Sequence, residues 1–303
     1  MQRTTQINAT ADAVFDVISD FGTWTTWSPW LAADPDAQVT VTDDAASVGS
    51  IYRWQGEIVG EGEIEHKVLQ RPDRIEDELR FIKPWRSQAK TSFSIEPASN
   101  AAQVTWTMKG SLPWFMFWMV PMMKRMIAMD YDRGLRMLAE HVETGKVLSK
   151  TEIVGEVTLP AMDMIGQHGA CDFADIGPAM EQAFSKACHS ADASAMEEGD
   201  MISVYHKTDL KCQRFEFTSG FLVDAANTIP VELEHCHLPA GKALHVRHIG
   251  SYSNLGNAWS AAYQYARYKK LKPSRAKSFE IYRNNAAIVP KEDLITDVYI
   301  PLK

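Results

Sequence analysis

Glu61, Glu63 and Glu65 alternate with Gly62, Ile64 and His66, a period of two that predicts a half-buried strand. Similar patterning predicts strands at Val39–Thr42, Ser50–Gln55, Glu61–Leu69, Arg74–Phe81, Ala89–Glu96 and Gln103–Gly110. Gly49, Gly56, Pro72-Asp73 and Pro97–Asn100 supply the turns between them. Ahead of these, Thr4–Ala9 reads as a strand. Ala13, Val14, Val17 and Ile18 then take helical spacing, from a cap region at Thr10 to a stop near Asp20–Gly22. After Pro121 the period changes. Met123, Ile127, Tyr131, Leu135, Leu138 and Val142 form one apolar stripe that runs up to Thr144-Gly145-Lys146. The order of strand, helix, antiparallel strands and one long closing helix predicts an α+β unit over residues 1–146, a curved sheet wrapped on a helix with room for a cavity.

The second half reads as one unit used twice. Asp175-Ile176-Gly177-Pro178-Ala179-Met180 and Asn254-Leu255-Gly256-Asn257-Ala258-Trp259 share a polar residue, an aliphatic, Gly, X, Ala and a large apolar residue at an offset of 79. Ile202–His206 echoes Glu280–Arg283 at an offset of 77, and His168-Gly169 and His248-Ile249-Gly250 stand near the two openings. The predicted elements are strand 156–168, helix 174–190 and strands 200–207 and 213–224, then strand 231–249, helix 253–271 and strands 277–283 and 294–301. This is βαββ twice, about 152–228 and 229–303, after a linker at Lys146–Thr151. Two copies do not make a solenoid; they predict one pseudo-symmetric domain over 152–303, with the ligand position at the seam.

Composition narrows the partners. The 303 residues carry a formal net charge of -8, which argues against direct nucleic-acid binding. Met1-Gln2-Arg3-Thr4-Thr5 has no apolar stretch behind it, so no secretory signal is expected. Cys171, Cys188, Cys212 and Cys236 form no CxxC pair, which suits reduced thiols and a cytoplasmic location. Leu112–Met123 is uncharged, but its 12 residues include two prolines and fall short of the roughly 20 a bilayer span needs. No stable membrane insertion is expected. The same surface, Trp114–Met123, would serve a homodimer, a membrane surface or a lid equally well.

Strand alternation places Glu280 and Tyr282 on one face, opposite Phe279 and Ile281. A carboxylate in an aromatic groove either pairs with a cation or rises in pKa until it can act as a base. Tyr252, Trp259 and Tyr263 would add aromatic faces if they turn to that groove. Glu216 and Phe217, in Phe215-Glu216-Phe217, would join it through the pseudo-symmetry, or else lie on an exposed strand face. His235 and His237 share one side of a strand, but sequence names no third ligand, so no metal site is expected there; Cys188-His189 is read the same way. With no Ser-His-Asp arrangement, phosphate loop or dinucleotide fingerprint, no cofactor is expected. In the first half, Trp24, Trp30, Trp54, Trp85, Trp106, Trp114 and Trp118 read as core packing or as the lining of a flat-ligand cavity. His66, Glu63 and Asp130 are acid–base candidates whose partners sequence does not name.

Residues 1–146 contain Trp24-x-x-Trp27-Ser28-Pro29-Trp30, Trp54-x-Gly56, Gly60-x-Gly62, Pro84-Trp85, Trp106-x-Met108-x-Gly110 and Asp130-x-x-x-Gly134-Leu135. With these motifs the segment resembles the helix-grip superfamily called SRPBCC or START-like, which includes polyketide cyclases and lipid-transfer domains. The resemblance implies a cavity for a hydrophobic ligand. Residues 152–303 contain His248-x-Gly250-x-Tyr252, Phe279-Glu280-Ile281-Tyr282-Arg283-Asn284, Pro290-x-Glu292-Asp293 and Thr296–Leu302. With these motifs and the doubled unit the segment resembles the gyrase-inhibitor-like, or effector-binding, domain. This second resemblance implies two βαββ units about a pseudo-twofold, and an aromatic groove with a buried acid that meets cationic, lipophilic molecules. It assigns the acid to Glu280, with Tyr282 beside it. Some members of that family hydrolyse or open cyclopropane-bearing cytotoxins with a Glu base. The expectation is therefore a binding protein that senses or sequesters a small hydrophobic or cationic ligand. The alternative is a detoxifying hydrolase with Glu280 as base and Tyr282 as its positioning partner. A transcription regulator would need a separate DNA-binding partner.

Overall fold

The computed structural model describes residues 1–111, 114–190, 201–223 and 232–303, without the side chains of 114–116. Leu112, Pro113, the Trp114 side chain and the predicted strand limits at 200, 224 and 231 lie outside the described residues. The chain divides into two compact units, Met1–Leu148 and Ser149–Lys303. Among the described residues no helix is long and apolar enough to cross a membrane.

The first unit runs β1 (Gln2–Ile7), α1 (Ala11–Ser19), α2 (Trp24–Trp27), β2 (Gln38–Val41), β3 (Ile51–Gly56), β4 (Gly60–Gln70), β5 (Arg74–Lys83), β6 (Ser87–Ala98), β7 (Ala101–Gly110) and α3 (Val120–Thr144). Its seven strands form one antiparallel sheet in the order β1-β7-β6-β5-β4-β3-β2. Helix α1 starts where the Thr10 hydroxyl accepts from the Ala13 N–H at 3.2 Å. Helix α3 stops at Gly145, whose φ of 82° suits a residue without Cβ. Val14, Phe15 and Ile18 of α1 and Tyr131, Leu135 and Leu138 of α3 bury their faces on Ile75, Phe93, Ile95, Val104 and Trp106 of the sheet.

Much of the tryptophan content packs between these layers. Trp106 stacks on Tyr131 with ring centroids 3.8 Å apart, and on Phe93 at 4.9 Å. Trp27 meets Trp106 edge-on at 5.9 Å, and Trp24 lies 5.0 Å from Trp27. Gly134 admits this packing, because a Cβ there would stand 2.9 Å from the Trp106 ring. Trp54 sits edge-on to Phe81, whereas Trp85 and Trp118 are exposed. The three acid–base candidates acquire partners. Glu63 accepts from Arg53 and Arg80, and Asp130 accepts from Arg133 and from the Trp30 indole. His66 is buried against Asp77.

The second unit runs β8 (Lys150–Leu159), β9 (Met162–Asp172), α4 (Ile176–Ser190), β10 (Met201–Asp209), β11 (Arg214–Val223), β12 (Glu234–Leu238), β13 (Gly241–Ile249), α5 (Gly256–Tyr268), β14 (Phe279–Tyr282) and β15 (Ile295–Pro301). The single strands expected at 156–168 and 231–249 are each two. Pro160 and Pro239, 79 residues apart, follow the breaks, and proline cannot donate to a ladder. At each break the chain changes partner: β8 pairs with β13 of the second repeat, and β12 with β9 of the first. The repeats thereby exchange their leading strands and build one sheet, β12-β9-β11-β10-β14-β15-β13-β8.

Both helices of this unit cover one face of that sheet. Helix α4 packs on β9 and β11, with Met180 and Ala183 over Cys171 and Phe217. Helix α5 packs on β13, β8 and β15, with Ala258, Ala262 and Ala266 over Leu244, Val246 and Val298. On the opposite face Met164, Ile202, Val204, Phe279, Ile281 and Tyr299 form a second apolar cluster. The central strands β10 and β14 run antiparallel, with Ser203 directly opposite Glu280. The offset of 77 makes these two residues counterparts, so the pseudo-twofold passes between them.

Candidate functional site

Glu280 is 1% exposed in the middle of the sheet, on the face that carries both helices. The period of two along β14 brings Tyr282 to its side, and the Tyr282 hydroxyl donates to Glu280 Oε2 at 2.7 Å. The Tyr205 hydroxyl on β10 donates to Oε1 at 3.0 Å, and the Trp259 indole N–H on α5 donates to the same oxygen. All three donors are neutral. Burial pushes the Glu280 carboxyl above its ordinary value, opposed by the hydrogen bonds from Tyr282, Trp259 and Tyr205. Burial, and then the Glu280 charge, hold both phenols well above the usual tyrosine value, so they remain protonated donors.

The ring around Glu280 is nearly two-fold symmetric, with the acid as its asymmetric member. Tyr205 and Tyr282 are counterparts at the offset of 77, and each reaches one carboxylate oxygen. Trp259 and Tyr263 of α5 are counterparts of Met180 and Phe184 of α4 at the offset of 79. Tyr205 meets the Trp259 ring edge-on at 5.2 Å, and Tyr282 meets Phe184 edge-on at 5.5 Å. Where the second repeat has Glu280, the first has Ser203, whose Oγ lies 2.7 Å from Ser219 Oγ and 3.4 Å from the Tyr282 hydroxyl. A single negative charge thus occupies a seam that symmetry would fill with two or none.

The structure joins most of the expected residues. Glu280, Tyr282 and Trp259 are in direct contact, and Tyr252 lies edge-on to Tyr282 at 5.5 Å. Tyr263 stacks on the outer side of Trp259 at 6.1 Å. At 39% and 51% exposure, Tyr252 and Tyr263 form the rim. Phe217 is buried beside this ring, under α4, against Cys171, Met180 and Ala183. Glu216 does not join it. Standing between Phe215 and Phe217 it faces the other way, is exposed, and lies 3.9 Å from Lys207. Sequence reading passed over Tyr205, Ser203, Met180 and Phe184, although the two offsets pair each with a residue already singled out. The pair His235 and His237 is tied down: both rings hydrogen-bond one oxygen of Asp163, at 2.8 and 3.0 Å. His189 is likewise engaged, through Nδ1 with the Ser185 carbonyl at 2.6 Å.

Removing one donor tests how the ring holds the acid. Trp259→Phe keeps an aromatic face but leaves Glu280 with two donors. It is expected to lower stability by about 1–2 kcal/mol, the scale of a hydrogen bond to a charged group, in urea unfolding of the free protein.

These features define a class: a duplicated βαββ domain with one buried acid at its pseudo-twofold, facing an aromatic seam. Residues 154–303 match the family model of the GyrI-like small molecule binding domain, and residues 1–143 match that of polyketide cyclase / dehydrase and lipid transport. The chain therefore joins an SRPBCC-like domain to a GyrI-like small-molecule-binding domain. Among solved structures it is similar to protein CV1439 from Chromobacterium violaceum, at 18% identity and a TM-score of 0.36 over 47% of this chain and 96% of that one. SAV2435 bound to tetraphenylphosphonium matches at 13% identity and a TM-score of 0.40, over 49% of this chain and 92% of that one. EcmrR in a DNA complex matches at 15% identity and a TM-score of 0.39, over 61% of this chain and 69% of that one. No curated protein matches the chain.

Proposed function

We propose that the C-terminal unit binds a small lipophilic cation, for sensing or sequestration, with Glu280 as counter-charge and Tyr205, Tyr252, Trp259 and Tyr282 as aromatic walls. The observation that carries this reading is a carboxylate 1% exposed whose hydrogen-bond donors are all neutral. A desolvated anion without a cation gains from acquiring one, and aromatic faces add about 0.5–2 kcal/mol each. The match to a small molecule binding domain supports the same reading. Because Trp259 and both tyrosines cover the carboxylate, the ligand enters by displacing one of them, and the rim residues Tyr252 and Tyr263 stand where that opening begins. The raised pKa of Glu280 also suits a general base, which keeps hydrolysis of a reactive lipophilic compound as the second reading.

The test is thermal unfolding with tetraphenylphosphonium and with triphenylphosphine oxide, a neutral molecule of similar shape. At about 100 times its Kd a ligand adds about 2.7 kcal/mol of stability. The cation is expected to raise Tm and the neutral compound to leave it near the free value. Equal shifts with both, or no shift across a panel of aromatic cations, would overturn the proposal.

A further inference from the structure

The same duplication places a second cluster on the sheet face opposite the helices. His168 on β9 and His206 on β10 flank Thr218 on β11, and Glu234 on β12 completes the group. One ligand atom from each of His168, His206 and Glu234 lies within 4.8 Å of the others. His168 Nδ1 and Glu234 Oε2 are 3.4 Å apart. That is close to the roughly 3.3 Å separating two ligands of a tetrahedral zinc ion with bonds of about 2.0 Å. The Thr218 hydroxyl donates to Glu234 Oε2 at 3.0 Å and lies 2.7 Å from His206 Nε2.

The pseudo-twofold supplies a comparison within the molecule. Register pairs His168 with Thr218 in the first repeat and Arg247 with Asp297 in the second, at the offset of 79. His206 corresponds to Arg283 at the offset of 77. In the second repeat the cluster is a closed ion network. Asp297 is held by Arg247 at 2.8 Å and Arg283 at 2.6 Å, with His245 at 2.8 Å. In the first repeat both arginines are imidazoles, the central carboxylate is a threonine, and a carboxylate returns from the next strand as Glu234. Arginine cannot ligate a metal; neutral imidazole can. The second cluster therefore saturates its one carboxylate with two guanidinium groups that cannot bind a metal, whereas the first presents two nitrogens and one carboxylate oxygen around an uncharged hydroxyl.

We infer that His168, His206 and Glu234 bind one divalent ion of the zinc, cobalt or nickel class, with Thr218 orienting Glu234 and His206 from behind. Two imidazoles and one carboxylate are a donor set that such ions accept, and three protein ligands leave a fourth position open. His168 and Glu234 have side chains 43% and 52% exposed, so an ion and its remaining water reach the site from solvent. The ligands stand on β12, β9 and β10, with Thr218 on the intervening β11, and are up to 66 residues apart in sequence, so no local spacing motif joins them.

The test is titration of the chelator-treated full-length protein with Co²⁺, followed by visible absorption and then by Zn²⁺ competition. About one equivalent of Co²⁺ is expected to give the absorption of a four- or five-coordinate ion. His168→Gln and Glu234→Gln, both at accessible positions, are expected to weaken binding at least tenfold with unchanged circular dichroism. Thr218→Val should weaken it by about tenfold, as loss of a group that orients the ligands does. The double variant His235→Gln/His237→Gln should bind as the parent does. Binding lost in that double variant and kept in His168→Gln would overturn the assignment, as would no stoichiometric Co²⁺ or Zn²⁺ binding by the parent protein.

Discussion

Glu280→Gln is expected to weaken binding of tetraphenylphosphonium by roughly 30- to 1000-fold, or about 2–4 kcal/mol, in calorimetric titration near neutral pH. The substitution keeps the shape of the side chain but removes the charge from a site where the structure shows no competing cation among the acid's hydrogen-bond partners. The weak affinity for a neutral aromatic ligand, which lacks the ion pair, should differ by no more than about threefold between variant and parent. The pH dependence has a definite sign. Burial raises the folded-state pKa of Glu280 above 4.5, so its contribution to the stability of the free protein is present below that value and lost as pH rises through the folded pKa. The Gln variant lacks this loss, and free of ligand it should unfold no earlier than the parent on the alkaline side. Cation affinity runs the other way, rising with pH through the same interval because the cation binds the ionised form. Equal affinity of parent and variant for the cation would remove Glu280 as its counter-charge. Normal cation binding with loss of turnover on a reactive ester would instead favour the hydrolase reading.

The antiparallel sheet, the long helix α3 and the doubled βαββ order were legible because each rests on local periodicity. Period two marks β4 over Glu61–His66, and spacings of three and four mark α3 from Met123 to Val142. What escaped were the breaks at Pro160 and Pro239, where strands change partner across the repeats. Strand exchange is a property of the closed sheet, and no local pattern encodes it. Alternation was enough to place Glu280 beside Tyr282, but which face of β11 carries Glu216 depends on how that strand pairs, so pseudo-symmetry left Glu216 between the groove and the exposed face where the structure puts it. Tyr205 is the instructive omission. The offset of 77 pairs it with Tyr282, yet only the antiparallel contact of β10 with β14 brings both hydroxyls onto one carboxylate. The same holds for His66, which lies 11 residues from the aspartate that holds it and reads in sequence as one more inward position of a strand.

That pair sets the second large expectation: Asp77→Ala should cost the N-terminal unit about 3–5 kcal/mol, the scale of breaking a buried pair. Both side chains are fully buried. The His66 ring is stacked on Phe21 at 3.7 Å, and its Nε2 donates to the Ser19 carbonyl at 2.9 Å, so neither the ring nor its tautomer is free to adjust. Nδ1 then faces Asp77 Oδ1 at 2.6 Å, with one proton shared between them. Asp77 Oδ2 has no hydrogen-bond partner among the described residues, in keeping with burial pushing this carboxyl up against the opposing pull of His66. Removing the carboxyl leaves Nδ1 unpaired beside a new cavity. Asp77→Asn keeps the volume and can donate to Nδ1, and should cost only about 1 kcal/mol. The two variants therefore separate the hydrogen bond from the charge. Eight of the nine tryptophans lie within residues 1–148, so fluorescence during urea unfolding reports mainly on this unit. The raised folded-state pKa adds a signature. The contribution of Asp77 is present below its unfolded value of about 3.8 and lost as pH rises through the folded one, a dependence that Asp77→Asn should lack. An Asp77→Ala protein within about 1 kcal/mol of the parent would mean that the surrounding aromatic core, rather than this pair, fixes the join between α1 and the sheet.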